Sequence, residues 1–402
     1  MKFGGTSVHN PEAREQAVHR IRTQVEAGYD VCVVVSAMGR KGEPYATDTL
    51  LKLVRDVHDE VGAQELDLAC ACGEILSSVV MTATLCRAGL KAVSFTGWQA
   101  GIVTDGRFGD ARIRRVQPDL VLEPLSEGKV AVVAGFQGRT ERGEVTTLGR
   151  GGSDISAVAL GVGIGAELVE IYTDVDGVKA ADPNMVPGAS TIPVITYEEL
   201  CQLAHEGARV VHPVAAELAM RNGLALRIRS TFDDGPGTLV TGGDVELEPP
   251  PFGVPLRPVT AVTTMPDMAH VEVDFPPYWD SSDELRLFRL LAEEQISLDM
   301  ILVTPFKKAF IVTAEKCQTT RITLQEAGFT VRITPECAKV TVVGGGMRGV
   351  PGVMASVASA LHGADIDIIQ TADSHMSISC LIRQWHMEDA VRALYRNFYL
   401  GD

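Results

Sequence analysis

Thr146-Thr-Leu-Gly-Arg-Gly-Gly-Ser-Asp-Ile-Ser-Ala-Val-Ala-Leu-Gly161 is the stretch on which the reading of this chain turns. Its first half is glycine punctuation around one cation, Arg150. Its second half places Ile155, Val158, Ala159 and Val162 at i, i+3, i+4 and i+7, which predicts a helix. Ser153 and Asp154 sit where an N-cap belongs. A helix N-terminus offers unpaired N–H groups and a partial positive charge, so it attracts anions. Gly151 and Gly152 let the backbone approach a ligand. Arg150 adds a fork that grips a carboxylate with two hydrogen bonds. The stretch reads as a carboxylate or phosphate cradle, against the plainer alternative of a capped helix after a turn.

Working outward, apolar runs alternate with helical patterns. A helix is expected from about Pro11 to Ala27. Tyr29 to Val35, Lys91 to Ser94, Val130 to Val133 and Leu168 to Thr173 read as buried strands, with Gln64 to Leu85 helical between them. That alternation predicts a parallel sheet covered on both faces. Ligands of such sheets bind at the carboxyl ends of strands, here Ser36-Ala-Met-Gly39, Ala134-Gly-Phe-Gln-Gly138 and Asp174-Val-Asp-Gly-Val178. Lys2-Phe-Gly-Gly-Thr-Ser-Val8 suits a phosphate met by backbone and ammonium together. Glu74, mid-helix, reads either as a solvated charge or as the partner of a substrate ammonium.

Composition narrows the class. The 402 residues carry 36 Lys and Arg against 52 Asp and Glu, a net charge of −16. That argues against a nucleic-acid or anionic-membrane partner, which would need a basic face. With 46% apolar and 22% charged residues the chain suits a globular protein of two or three domains. No secretory signal and no apolar run of spanning length are read. Most cysteines lie in apolar runs, Cys70-x-Cys72 among them, so buried reduced thiols and a cytoplasmic location are expected.

Residues 241–258, rich in Gly and Pro, read as a linker after a domain over 1–240. Beyond it a strand–helix–strand–strand–helix–strand pattern recurs, with Ser297-Leu-Asp-Met-Ile301 and Asp365-Ile-Asp-Ile-Ile369 as echoes. Two ferredoxin-like units are expected, over 259–335 and 336–402.

Together these motifs resemble an aspartokinase, over nearly the whole chain, and most closely the short single-function Bacillus-type enzymes. The motifs are Lys2-Phe-Gly-Gly-Thr-Ser-Val, Val35-Ser-Ala-Met-Gly, Thr147-Leu-Gly-Arg-Gly-Gly-Ser-Asp, Tyr172-Thr-Asp-Val-Asp-Gly-Val and Ala181-Asp-Pro. Val343-Gly-Gly-Gly-Met and Val350-Pro-Gly-Val match the second of a pair of ACT units. The resemblance implies a three-layer α/β/α amino acid kinase domain followed by two ACT units. It implies transfer of the γ-phosphoryl of ATP, carried with Mg2+, to the side-chain carboxylate of L-aspartate, with no dedicated protein metal site.

By the family match, Lys2, Arg150 and Asp154 are catalytic. Lys2, Phe3, Gly4, Gly5, Thr173, Asp174, Lys179, Asp182 and Pro183 meet the nucleotide. Ser36, Thr47, Glu74 and Arg150, Gly151, Gly152, Ser153 and Asp154 hold aspartate. A homodimer is expected, with a feedback effector (lysine, threonine or diaminopimelate) at the ACT interface.

The chemistry is consistent with these assignments. The nucleophile is a carboxylate with a reference pKa of about 3.9, so it is already ionised and needs no general base. Two unit charges about 4 Å apart at an effective dielectric near 20 repel by roughly 4 kcal/mol. Catalysis should therefore be positioning and charge neutralisation.

Three features depart from the family pattern. The family carries several apolar residues ahead of this lysine. A version extended upstream is therefore expected to be more active or more stable, and the rival expectation is an amino-acid sensor with an impaired kinase domain. Asn184 stands where Arg or Lys is usual, with Lys179 as a compensating cation. Met265-Pro-Asp-Met-Ala-His270 lacks the turn of effector-binding ACT units.

Overall fold

Cys32–Val35 and Val130–Ala134 are buried along their whole length, as parallel strands covered on both faces must be. The computed structural model describes residues 1–39, 42–208, 210–242, 258–276, 279, 281–347 and 349–401. They form two units. The first holds Met1–Val178, Thr191–Ala204 and the described part of Arg209–Leu247. The second holds Lys179–Ser190, His205–Ala208 and the described part of Glu248–Asp402. The expected linker over 241–258 lies almost wholly outside the described residues.

The strands of the first unit are β1 (Lys2–Phe3), β2 (Cys32–Val35), β3 (Ala92–Phe95), β4 (Ile102–Thr104), β5 (Ile113–Val116), β6 (Val130–Ala134), β7 (Gln137–Arg139), β8 (Val145–Thr147), β9 (Leu168–Thr173), β10 (Val194–Thr196), β11 (Ala225–Ser230) and β12 (Thr238–Thr241). Its helices are α1 (Gly5–Val8), α2 (Pro11–Glu26), α3 (Thr47–Arg55), α4 (Ala63–Arg87), α5 (Asp119–Ser126), α6 (Gly152–Ile164), α7 (Tyr197–His205) and α8 (Pro213–Asn222). The main sheet runs β10-β12-β11-β9-β1-β2-β6-β3, and every pair is parallel except β11 with β12.

The two-residue β1 lies at the centre of this sheet. Lys2 stands opposite Val34 on one side and Ile171 on the other. Phe3 is fully buried and stacks on Tyr172, centroids 4.8 Å apart. The Met1 ammonium is buried and donates to the Cys32 carbonyl at 2.7 Å, and burial lowers its pKa. Below it lies a cavity of about 880 Å³ between β2 and β9, lined by Met1, Val31, Cys32, Leu160, Leu168 and Val169, among others.

A second, smaller sheet, β5-β4-β7-β8, is absent from the sequence reading. Its strands are three or four residues long, too short for alternation to show. Helix α4 corrects the expectation of no spanning-length apolar run. By length and composition alone it could cross a membrane, but it buries Asp67, Glu74, Ser77 and Ser78 inside this unit. Of the cysteines, Cys32, Cys70, Cys337 and Cys380 are buried, and all eight are free. Burial pushes the thiols of Cys32 and Cys380 up to about 11 and that of Cys70 to about 12. Cys72 and Cys86 are exposed, so Cys70-x-Cys72 is only half core: residues two apart on a helix face different ways.

The second unit holds β13 (Ala261–Asp274), α9 (Ser281–Glu293), β14 (Asp299–Val303), β15 (Lys307–Thr313), α10 (Ala314–Glu326), β16 (Val331–Val343), α11 (Val353–Gly363), β17 (Gln370–Asp373), β18 (Ser377–Arg383) and α12 (Met387–Asn397). Its sheet runs β14-β15-β13-β16-β18-β17. The boundary expected between the units at 335/336 falls inside one strand, β16, and β13 is as long; the two pair antiparallel over most of their length. Residues 268–274 complete the first ferredoxin-like unit. Residues 261–265 lie beside 339–343 and supply the second unit's fourth strand, for which none follows α12. Met265 to His270 is therefore strand, bulged between Met265 and Met268, not an effector loop.

Candidate active site

Parallel β1 and β2 end side by side, so Lys2 and Ser36 arrive at the same edge of the sheet. They border a cleft of about 450 Å³. It is also lined by Thr47 at the start of α3, by Phe136 after β6, and by Arg150, Gly151, Gly152, Ser153 and Asp154 at the start of α6. Seven of the eight residues expected to hold aspartate thus meet in one place, together with the expected phosphate lysine. Its lining carries two cations, Lys2 and Arg150, and one anion, Asp154.

The beginning of α6 differs from the capped helix expected. Gly151 occupies the N-cap position in the left-handed region (φ 68°, ψ 9°), and no side chain caps the helix. Ser153 and Asp154 already belong to its first turn. Asp154 Oδ1 instead lies 2.7 Å from Lys2 Nζ, both side chains nearly buried. Its Oδ2 accepts the main-chain N–H of His212 at 3.4 Å. A Cβ on Gly151 would fall 2.3 to 2.4 Å from atoms of the His212 side chain, so glycine is required there for space as well as for φ.

Phe136 faces the cleft from a left-handed backbone (φ 68°), a conformation that costs a non-glycine residue about 1–3 kcal/mol and persists only where its surroundings enforce it. Its N–H donates to Ser156 Oγ at 3.0 Å, and Ser156 in turn donates to the Gly152 carbonyl at 2.8 Å. Its carbonyl accepts Leu148 N–H at 2.9 Å.

Glu74 is the eighth expected aspartate ligand. It does not line the cleft but stands behind Ser36, accepting the Ala37 N–H at Oε1 (3.2 Å). It is 3% exposed, so the solvated-charge alternative is wrong. Oε2 has no partner among the described residues. Burial pushes its pKa up to about 8, so the empty protein holds it mostly protonated at pH 7.

Sequence reasoning missed Asp67. Fully buried in α4, it accepts Thr147 N–H (2.8 Å), Thr147 Oγ1 (2.7 Å) and Gly109 N–H (3.0 Å). It ties down both loops that deliver Gly109 and Gly149 to the cleft rim. Its only signal was a carboxylate within an apolar helical run. His212, at the N-cap of α8, was missed as well, because its neighbour Gly151 is 61 residues away in sequence.

The expected nucleotide residues are divided between the two units. Thr173 ends β9 one step past Tyr172, the register partner of Phe3. Gly4 N–H donates to the Tyr172 carbonyl at 3.4 Å. Phe3 can offer a ligand only its backbone, because its ring is core. The absent side chain of Gly5 admits the carbonyls of Ala37 and Gly39 to 2.9 Å of where its Cβ would be. Lys179, Asp182 and Pro183 belong to Lys179–Ser190 of the second unit. There Asp182 Oδ1 accepts from the backbone and side chain of Asn184 at 2.8 and 2.9 Å. Asn184 thus closes a turn in place of the usual cation.

Residues 1–230 match the amino acid kinase family model and residues 340–398 an ACT domain model. The chain is 42% identical over 407 residues to aspartokinase 1 of Bacillus subtilis, covering 100% of this chain and 98% of that one. It is 37% identical to the aspartokinase of Thermus thermophilus, covering 99% and 98%. Among solved structures it resembles Clostridium acetobutylicum aspartate kinase (TM-score 0.80, 21% identity, 99% of both chains). It also resembles E. coli aspartokinase III in complex with aspartate and ADP (TM-score 0.74, 24% identity, 99% of both chains).

Proposed function

Since the chain belongs to the amino acid kinase family and, within it, to the aspartokinases, it phosphorylates the side-chain carboxylate of L-aspartate at the expense of ATP, and we propose that the cleft between Lys2 and Arg150 is where it does so. This reaction forms 4-phospho-L-aspartate, the first step of the aspartate family of amino acids, under ACT regulation. The observation that carries the site is the convergence of Lys2, Ser36, Thr47 and the Arg150–Asp154 turn on one cleft.

In this reading Arg150 grips the α-carboxylate of aspartate, Glu74 takes its ammonium, and the free β-carboxylate points at a triphosphate beside Lys2. Asp154 holds Lys2 in place until the phosphates arrive. Thr173 and Asp174, at the carboxyl end of β9, serve the nucleotide. Among the described residues no group of three or more His, Cys, Asp or Glu is placed to hold a metal. Magnesium carried on the nucleotide would supply charge neutralisation at the phosphates. The rival sensor reading is not favoured, because relatives matched along the full length are aspartokinases.

The deciding experiment is Arg150→Lys, which keeps the charge and loses the fork. KM for aspartate should rise by about tenfold or more, as loss of one charge-assisted contact of 1.5–3 kcal/mol implies, while KM for ATP stays within about twofold. Equal changes in both constants would reject the clamp.

Glu74 makes the reaction pH-dependent. An ammonium partner needs the ionised carboxylate, so below about pH 8 substrate binding must expel a proton. KM for aspartate should therefore fall by up to about tenfold per pH unit between pH 6 and 8 and then level off. Glu74→Gln should flatten this profile and raise KM. A flat profile in the unaltered enzyme rules out the ammonium role. The stability effect has its own sign. Folding raises this pKa from 4.5 to about 8, so its stabilisation is complete below pH 4.5 and is lost as pH climbs through 8.

The homodimer reading is supported by β14, an edge strand whose Ile301, Leu302 and Val303 are half exposed, with Phe306 66% exposed just beyond it. Unpaired apolar edges are sites for pairing with a second chain. The effector, an amino-acid end product such as lysine, threonine or diaminopimelate, binds at this ACT sheet. E. coli aspartokinase III has been solved with lysine and aspartate. The enzyme acts in the cytoplasm, with neither nucleic acid nor membrane as partner.

A further inference from the structure

We propose that His212 is the positioning residue of the aspartate clamp, acting on Arg150 and on Lys2 through two different neighbours. This rests on the assignment of the cleft made above.

Three observations carry it. The His212 side chain fills the space that a side chain on Gly151 would need, with Cβ, Cγ and Cδ2 all 2.3 to 2.4 Å from the ideal Cβ position. Gly151 is the left-handed hinge between Arg150 and the first turn of α6. A ring pressed against that hinge sets the direction in which the Arg150 fork leaves the backbone. Second, the main-chain N–H of His212 donates to Asp154 Oδ2, while Asp154 Oδ1 meets Lys2 Nζ. One residue thus braces the turn that carries the substrate cation and the carboxylate that holds the phosphate cation. Third, His212 Nδ1 is buried with no partner among the described residues. A buried unpaired nitrogen is destabilising, so packing alone does not favour histidine there.

The residue's own placement is firm. His212 is the N-cap of α8, extended (φ −67°, ψ 133°) and followed by Pro213 at the first helical position. Its carbonyl accepts the N–H groups of Ala215 and Ala216 at 2.9 and 3.2 Å. Proline there fixes the entry to the helix, and the helix entry fixes the ring. His212 itself does not border the cleft, so its effect on substrate passes through Gly151 and Asp154.

The test compares His212→Ala and His212→Asn with the unaltered enzyme, measuring kcat, both KM values and the melting temperature. His212→Ala, which removes the ring but leaves the main-chain N–H to Asp154, should raise KM for aspartate at least tenfold with KM for ATP within twofold, and His212→Asn, which keeps a flat polar group, should recover part of the loss. A merely structural role would instead lower the melting temperature and shift both constants together, and that result overturns the proposal. Gly151→Ala supplies an independent check, because double-mutant cycles isolate contact between neighbours. In the unaltered background it suffers both backbone strain and collision with the ring. In the His212→Ala background only the strain remains, so its further cost in kcat/KM should shrink by at least fivefold. Strictly additive losses would show that the ring does not set the turn.

The Arg150→Lys result separates the two levels. If that variant leaves KM for aspartate unchanged, the clamp assignment itself fails. If it raises KM while His212→Ala does not, only the positioning role fails.

Discussion

Lys2→Met should lower kcat by two to three orders of magnitude while the protein stays folded. Lys2 is one of the two cationic residues bordering the cleft and its side chain is 12% exposed, so water screens it little. The reaction brings a carboxylate against a triphosphate, a repulsion of roughly 4 kcal/mol at about 4 Å and an effective dielectric near 20. Each 1.36 kcal/mol of uncompensated barrier is about tenfold in rate. Methionine keeps the length and apolar stem and removes the charge. It also leaves Asp154 without its partner, adding a second anion to the problem. Lys2→Arg should retain part of the rate, since a cation remains. The measurement is ADP release dependent on aspartate, with circular dichroism to verify folding. A kcat within about fivefold of the unaltered enzyme would remove Lys2 from the chemistry.

The second large effect is on stability. Adding three apolar, β-branched residues ahead of Met1 should raise the melting temperature of the kinase unit by roughly 6–12 °C. The register of β1 determines where they would lie. Lys2 stands opposite Val34 and Ile171, so in a parallel continuation the residues before Met1 fall opposite Cys32 and Val169, then Val31 and Leu168. The cavity of about 880 Å³ between β2 and β9 is lined by those side chains. Each apolar side chain placed there gains about 1.5–3 kcal/mol from burial, and each backbone bond about 0.5–1.5 kcal/mol net. Ordering each residue costs about 1–2 kcal/mol of backbone entropy. The surplus is about 3 kcal/mol, and in a unit of this size each kcal/mol shifts the midpoint by about 2–4 °C. The extension also turns a buried ammonium into an ordinary peptide N–H on Cys32. Three added aspartates serve as control and should give no rise. An unchanged midpoint with the apolar extension would mean the slot does not accept a strand.

The parts of this protein that were legible in the sequence are those with long-period or local signals. The apolar runs at Cys32–Val35 and Val130–Ala134 announce central strands, and the spacing of Ile155, Val158, Ala159 and Val162 announces α6. The cleft was legible because its residues cluster in four short motifs at strand ends. What escaped depends on distance in the chain. Asp67 tethers Thr147 from 80 residues away, and His212 meets Gly151 across 61. Neither pairing leaves a periodic trace. Gly151 in place of Ser153 as the helix cap escaped for a different reason. A serine and an aspartate in the first turn look the same in sequence as a serine and an aspartate at the cap. The boundary expected between the two repeats, at 335/336, falls inside β16, which continues through it with Glu336 at φ 55°.

The long strands of the regulatory sheet limit how such a protein can be rearranged. Because residues 261–265 complete a unit whose other strands begin at 337, a cut between the two repeats would leave the downstream half short of one strand and the upstream half with an orphan overhang. The downstream repeat is not separately heritable. Recombination that transplants feedback control from one enzyme to another must carry 258–401 as one piece, and a gene duplication of the downstream repeat alone would lack a strand rather than add a third sensor.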